Sequence, residues 1–199
     1  MNFFKKILLW KIDNKNEKTT NGNDLICLVH EQIKNDYLHI LFYPLDRKIK
    51  KDLEKQADLK NNKGLISYMD FLSEHNGGVL YSGGIVFFGF TNKNTINTFI
   101  EPPSINRMNE MDRFHLQNPE WLYIGNLLHR DMDNVNMYIN SKNGMILWLH
   151  KNKELQSFNS LEDSLNHIYS VYNICYKKDG EHKNYNNRKM HVYENIQLY

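Results

Sequence analysis

Among the ionisable residues of this 199-residue chain, His129, Asp131 and Asp133 come nearest to the spacing of an ion site. Alternate side chains of an extended strand share a side, so the three would converge and would suit a hard, oxygen-seeking metal. The pattern goes no further. Read as a calcium loop from Asp131, the sixth position is Asn136 where glycine is needed, and the twelfth is Lys142 where a bidentate glutamate is needed. The nine histidines form no HxH or HExxH pair. Charged residues in a connection between strands are the plainer reading. We expect neither a metal nor a cofactor.

Other chemistries fail on similar grounds. Gly78 and Gly83 have the separation of a phosphate loop, but Gly84-Ile85 follow where Lys and Ser or Thr would meet the phosphates. Ser82 lies in Leu80-Tyr81-Ser82-Gly83, not in the GxSxG of a nucleophile elbow. Glu74-His75-Asn76 resembles a nuclease fragment but has no second ligand at usable spacing. Cys27 and Cys175 make no CxxC or Cys/His pattern, and read as ordinary thiols of a reducing compartment. The expectation is a chain that is not an enzyme.

The net charge of +2 is too small to predict nucleic-acid binding. Lys177-Lys178 and Arg188-Lys189, interleaved with Tyr185 and Tyr193, have the letters of a stacking, phosphate-binding tail. A polar tail of biased composition explains the same letters, and no nucleic-acid partner is expected. Mean hydropathy is −0.65, and no apolar run reaches the roughly 20 residues of a membrane span. The start, MNFFKKILLWK, is broken by Lys5-Lys6 and lacks a cleavage site, so it is not a signal peptide. It reads either as an amphipathic helix on a membrane or, preferred, as a short element docked on its own domain. A cytoplasmic location is expected. The 28 asparagines and the single alanine, Ala57, point to coding bias, whose physical result is many local side-chain turns.

The elements that must position any site follow from periodicity. Residues 13–24 are a polar loop, and 25–43 suggest two strands. Asp46 opens a helix over 47–59, with Ile49, Leu53 and Ala57 as a narrow apolar stripe among solvated lysines. A second helix over 65–75 places Leu65, Tyr68, Met69 and Leu72 on one face and ends at Asn76-Gly77 in a left-handed cap. GVLYSGGIVFFGF, residues 78–90, is the most apolar stretch and is expected to be the central strand pair. A short helix starts at Ser104 with Ile105, Met108 and Met111. Trp121 to Ile124 start a strand that Gly125 ends. Residues 135–140 and 145–150 form a hairpin around Asn143-Gly144, a pair that primed turns favour. Ser160 caps a helix over 161–172 that buries Leu161, Leu165, Ile168 and Tyr172, with Asp163 completing a short capping box. Phe114, Trp121, Tyr138 and Trp148 are either core residues, the preferred reading, or partly exposed anchors for a partner.

The ordered series of these motifs resembles the SUKH superfamily of cell-wall-assembly-regulator-like and bacterial immunity domains. The residues that carry the likeness are Pro44-Leu45 before a charged helix, FLSEHNGG at 71–78, and Phe87-Phe88-Gly89-Phe90. They continue with PEWLYIGNLL at 119–128, the hairpin at 141–144 and SFNSLEDSL at 157–165. The match covers about residues 40–172. It departs at Gly64-Leu65, where the family often has Leu-Pro. The resemblance implies an α+β fold, an antiparallel sheet of about five to six strands flanked by helices. It divides the chain into an N-terminal extension over 1–39 packed on the domain, a domain over 40–172, and a partly ordered tail over 173–199.

The family offers no catalytic apparatus to carry over. It implies a protein-binding module, foremost an immunity protein that binds and neutralises a bacterial toxin. The alternatives are a regulatory or scaffold module of the same fold without a toxin partner and, least favoured, a metal-dependent hydrolase built on His129, Asp131 and Asp133. Residues 101–133 hold six acidic residues against three arginines. From them Glu101, Glu110, Asp112, Asp131 and Asp133 are the candidate partner-binding residues, because loops on a rigid sheet carry recognition.

Overall fold

Among the described residues, hydrogen-bonded ladders, all antiparallel, join seven strands in chain order into one sheet. The computed structural model describes residues 40–41, 45–56, 62–80, 84–90, 103–127 and 134–175. The strands are β1 (Ile40–Leu41), β2 (Gly78–Leu80), β3 (Ile85–Phe87), β4 (Trp121–Leu127), β5 (Val135–Asn140), β6 (Ile146–His150) and β7 (Lys153–Phe158). The helices are α1 (Arg47–Gln56), α2 (Lys63–Glu74), α3 (Ile105–Met111), α4 (Arg113–Gln117) and α5 (Leu161–Cys175). The fold is α+β, with six strands of three or more residues and the two-residue β1 at one edge. The strand pair β2–β3 is not central as expected. Among the described strands it lies next to β1, and β4 holds the middle.

Residues directly opposite one another in a ladder share a face of the sheet. One such row runs Gly78, Phe87, Gly125, Met137, Trp148 and Gln156. Phe71 of α2 meets Phe87 edge-on at 5.2 Å, and His167 of α5 lies 5.7 Å from Trp148. Helices α2 and α5 therefore cover this face, while buried core residues lie on both faces of the sheet. α1 packs on α2 through the stripe expected from its sequence, with Ile49 and Leu53 half-buried against the core. Its lysines face solvent, apart from Lys50, which bonds Asp70 at 2.9 Å.

The second helix begins two residues earlier than its apolar pattern, and its N-terminus is capped by tertiary contact. Asn62 makes no side-chain cap. Instead the backbone N–H groups of Lys63, Gly64 and Leu65 donate to the carbonyls of Lys142, Ser141 and Ser141 in the β5–β6 turn, at 3.2, 2.9 and 3.1 Å. Free N–H groups of a first turn need such partners. Only glycine allows the approach, since a methyl group at Gly64 would sit 2.0 Å from the Asn140 carbonyl oxygen. At the other end Gly77 is left-handed, at φ 88°, but contrary to expectation it does not cap the helix: His75 does, in an extended conformation, donating to the Phe71 carbonyl at 3.4 Å. Asn76 is not left-handed. Its buried side chain instead bonds both backbone groups of Phe90, accepting at 2.8 Å and donating at 2.5 Å.

Gly125 does not end β4, contrary to expectation. The strand runs through it to Leu127, with an irregular register between Tyr123 and Gly125. A side chain at Gly125 would meet the Val86 carbonyl oxygen at 2.2 Å, so glycine marks close packing of neighbouring strands and not a chain break. The hairpin turn also differs. Asn143 is not left-handed, as a type I′ turn would need; only Gly144 is. The loop is held by asparagine side chains: Asn140 Oδ1 accepts from Lys142 and Asn143 N–H, and Asn143 Oδ1 from Met145 N–H. The primed conformation occurs at Lys151-Asn152, with φ 50° and 63°, between the paired His150 and Lys153. That turn leads into β7, a strand that the hydrophobic pattern does not announce. The last helix starts as expected at Ser160, whose Oγ accepts from Asp163 N–H at 3.1 Å. Leu161, Leu165 and Ile168 are buried beneath it. The expected loop at 13–24, the N-terminal element, the thiol Cys27 and the basic tail all lie outside the described residues.

Candidate partner-binding surface

The face of the sheet opposite α2 and α5 carries α3 and α4. A parallel bridge from Gly89 to Ser104 starts the segment, and Ser104 Oγ accepts from Arg107 N–H at 3.4 Å as the expected cap. Ile105 is buried and Met108 half-buried, but the apolar series ends there. Met111 is 71% exposed.

What anchors α3 is an amide. The buried Asn109 donates to the Tyr123 carbonyl at 2.9 Å and accepts from the Tyr123 N–H at 2.8 Å. The β3–β4 pairing ends near Phe88, whose N–H donates to the Ile124 carbonyl at 2.8 Å. Asn109 thus satisfies the backbone groups of β4 that β3 no longer reaches, as buried polar groups require. Asn76 does the same for Phe90.

Asp112 links α3 to α4. Its Oδ2 accepts from His115 N–H at 2.7 Å, capping α4, and its Oδ1 accepts from the Tyr138 hydroxyl at 3.0 Å. Asn136 donates to that hydroxyl at 3.1 Å. The Tyr123 hydroxyl faces the side-chain oxygens of Asn126 and, at 3.1 Å, Asn136. The rings follow the same line: Tyr123 stacks on Tyr138 at 5.1 Å, and Phe114 of α4 lies 4.8 Å from Tyr138. His115 Nδ1 bonds the Trp121 carbonyl at 2.9 Å, which assigns the proton to Nδ1.

Burial pushes both phenols far above their usual range. The Asp112 charge adds to that at each of them, while the bond to Asn126 opposes it at Tyr123 and the bond to Asn136 opposes it at Tyr138. The two tyrosines stay protonated at neutral pH, so the network fixes α3 and α4 on the sheet without a phenolate to act as base or nucleophile.

This anchored pair of helices presents Met111 and Leu116, 71% and 62% exposed, the exposed large apolar residues among those described. Arg107 and Glu110 of α3 and Arg113 and Gln117 of α4 are exposed as well. Of the candidate partner-binding residues, Glu110 stands on this surface, open to solvent. Asp112 is adjacent, but both of its oxygens are engaged within the fold. Glu101, Asp131 and Asp133 lie outside the described residues, and so does His129. Phe114 and Trp121 are half-buried against the core, while Tyr138 and Trp148 are wholly inside it, so neither of the latter two is an exposed anchor. No group of three or more His, Cys, Asp or Glu residues is placed to hold a metal among the described residues. Nor is any helix among them long and apolar enough to cross a membrane.

Sequence reasoning missed Leu116 because RFHLQ is too short to show a helical period. It missed the Tyr123–Asn136–Tyr138–Asp112 chain because three different elements supply it. The one available signal was Asp112 three residues ahead of His115, the spacing of an N-cap. Comparison with family models, with curated proteins and with solved structures finds no match to this chain.

Proposed function

We propose that this chain is a non-catalytic protein-binding module that acts in the bacterial cytoplasm, and that its partner is a toxin it neutralises by covering it. One observation carries the reading: Met111 and Leu116 stand exposed on the consecutive helices α3 and α4, which Asn109 and Asp112 bond to the sheet. Exposed apolar side chains ringed by charge are what a protein interface uses as its anchor, and a preformed surface avoids the entropy of ordering. The ordered motif resemblance to SUKH immunity domains supplies the toxin. Glu110 and the charged neighbours would set orientation and partner choice.

The test is calorimetric titration of the purified chain with the products of neighbouring toxin genes. A stoichiometric complex is expected with one of them. The double variant Met111→Glu, Leu116→Glu should weaken it by at least about tenfold, the loss of a central anchor. Absence of heat with every neighbouring candidate would remove the toxin reading, and full binding by the double variant would remove the surface.

A further inference from the structure

The seat of α5 on the sheet contains two polar atoms with nothing to bond among the described residues. His167 packs against two aromatic rings, 5.7 Å from Trp148 and 5.3 Å from Phe158, and these two rings are 4.8 Å from each other. Its Nε2 is buried without a hydrogen-bond partner, and so is Nε1 of the wholly buried Trp148. Buried polar atoms are nearly always paired, so two orphans on neighbouring rings of one seat call for an explanation.

Imidazole chemistry supplies one. The neutral ring holds one donor and one acceptor nitrogen, whereas the charged ring holds two donors. In the neutral ring an unpartnered Nε2 leaves either a lone pair or an uncharged N–H unmet, according to the tautomer. A protonated Nε2 in the same place would bury a charged N–H with no acceptor, which is far more costly.

The charged and titratable groups near the seat do little to offset this. On α5 itself, Glu162 and Asp163 are exposed in the first turn, Asp163 one turn before His167. On β6, the half-buried His150 shares the face of Trp148, and charging it would add repulsion. On β7, the exposed Lys153 pairs with His150 on that face and is also positive, whereas the exposed Glu154 opposes Leu149 on the other face. Among the described residues only Asp163 favours the charged ring from the same side, and solvent screens it.

We propose that His167 makes the docking of α5 acid-sensitive: protonation of its ring loosens the helix from β6 and β7 and uncovers Trp148. Burial lowers the affinity of the seated ring for a proton, in agreement with that direction. The sign follows from linkage. Above the free-histidine value near 6.5 both states are neutral and α5 is fully docked. As pH falls through that value the undocked ring takes up a proton first, and docking weakens until the seated ring also titrates. The docking equilibrium changes about tenfold for each pH unit between the two values. Helix α5 is the natural unit to open, since it lies against β7, the end strand of the described sheet.

The experiment uses the full chain in a background of Trp10→Phe and Trp121→Phe, which leaves Trp148 as the only tryptophan. Emission and α5 amide exchange, corrected for intrinsic rate, are followed from pH 8 to pH 5, beside the His167 ring signal by NMR. The expected result is a red shift of Trp148 and several-fold faster exchange in α5 as pH falls, with no change in α2. His167→Phe, which keeps an aromatic filler without a titrating nitrogen, should abolish both. His167→Gln serves the same purpose should the phenylalanine not pack. Unchanged emission and exchange across the range would overturn the proposal, as would an equal response in the variants.

Discussion

Replacing Gly64 by alanine sets a small gain against a large collision. Alanine in a helix is favoured over glycine by up to about 1 kcal/mol. Yet the new methyl would lie 2.0 Å from the Asn140 carbonyl oxygen and 2.8 Å from Gly144 N and Cα, all of them backbone. Ordinary contact begins at 3.4 Å, so relieving the oxygen alone demands 3.4 − 2.0 = 1.4 Å of separation between α2 and the hairpin turn. The three capping bonds of Lys63, Gly64 and Leu65, at 3.2, 2.9 and 3.1 Å, do not survive such a step. At a net value near 1 kcal/mol each they cost about 3 kcal/mol, and residual strain adds to it. The expected balance is a destabilisation of about 2–4 kcal/mol, or a fall of roughly 5–15 °C in melting temperature for a chain of this size. Urea unfolding of the full chain followed by circular dichroism measures it. Ser67→Ala, an exposed site on the same helix, is the control and should be neutral or slightly stabilising. A Gly64→Ala protein as stable as wild type would refute the contact between helix and turn on which this reasoning rests.

Two further substitutions test the amide and phenol anchors. Asn76→Ala strands the N–H and carbonyl of Phe90 in a buried site, and a loss of about 2–4 kcal/mol in urea unfolding is expected. Tyr138→Phe keeps the ring stack on Tyr123 but removes the hydroxyl between Asn136 and Asp112. It should cost about 1–2 kcal/mol and speed amide exchange in α4 while leaving α2 unchanged.

The apolar framework was legible because it is periodic. Ile49 and Leu53 in α1, Tyr68, Met69 and Leu72 in α2, and Leu161, Leu165 and Ile168 in α5 all occupy the faces their spacing predicts. The hairpin of β5 and β6 was legible for a different reason, as two short apolar runs on either side of Asn143-Gly144. What escaped has no period. β7 reads KELQSF, an edge strand with exposed Lys153, Glu154 and Ser157, and its turn uses Lys151-Asn152 where glycine would have announced it. Gly125 reads as a stop because the local signal of a strand glycine is the same for a chain break and for close packing. Only the position of Val86 across the ladder decides between them. The place of β2–β3 in the sheet escapes a reading by hydrophobicity, which reports burial on two faces. The helices supply that burial beside an edge as well as in the middle.

The candidate surface was half visible, and the reason bears on how it works. Glu110 stands out by charge, whereas Met111 reads as part of the helix stripe because it fits the spacing of Ile105 and Met108. An apolar residue at helical spacing is ordinarily core. Here it is not, because α3 is held down by Asn109 and α4 by Asp112, with no residue of α4 buried. Directional bonds from single polar side chains position these helices in place of a continuous apolar stripe. Helices fixed in that way can turn Met111 and Leu116 outward without losing their place on the sheet. A surface built so can change its exposed residues while Asn109, Asp112, Tyr123 and Tyr138 stay as they are.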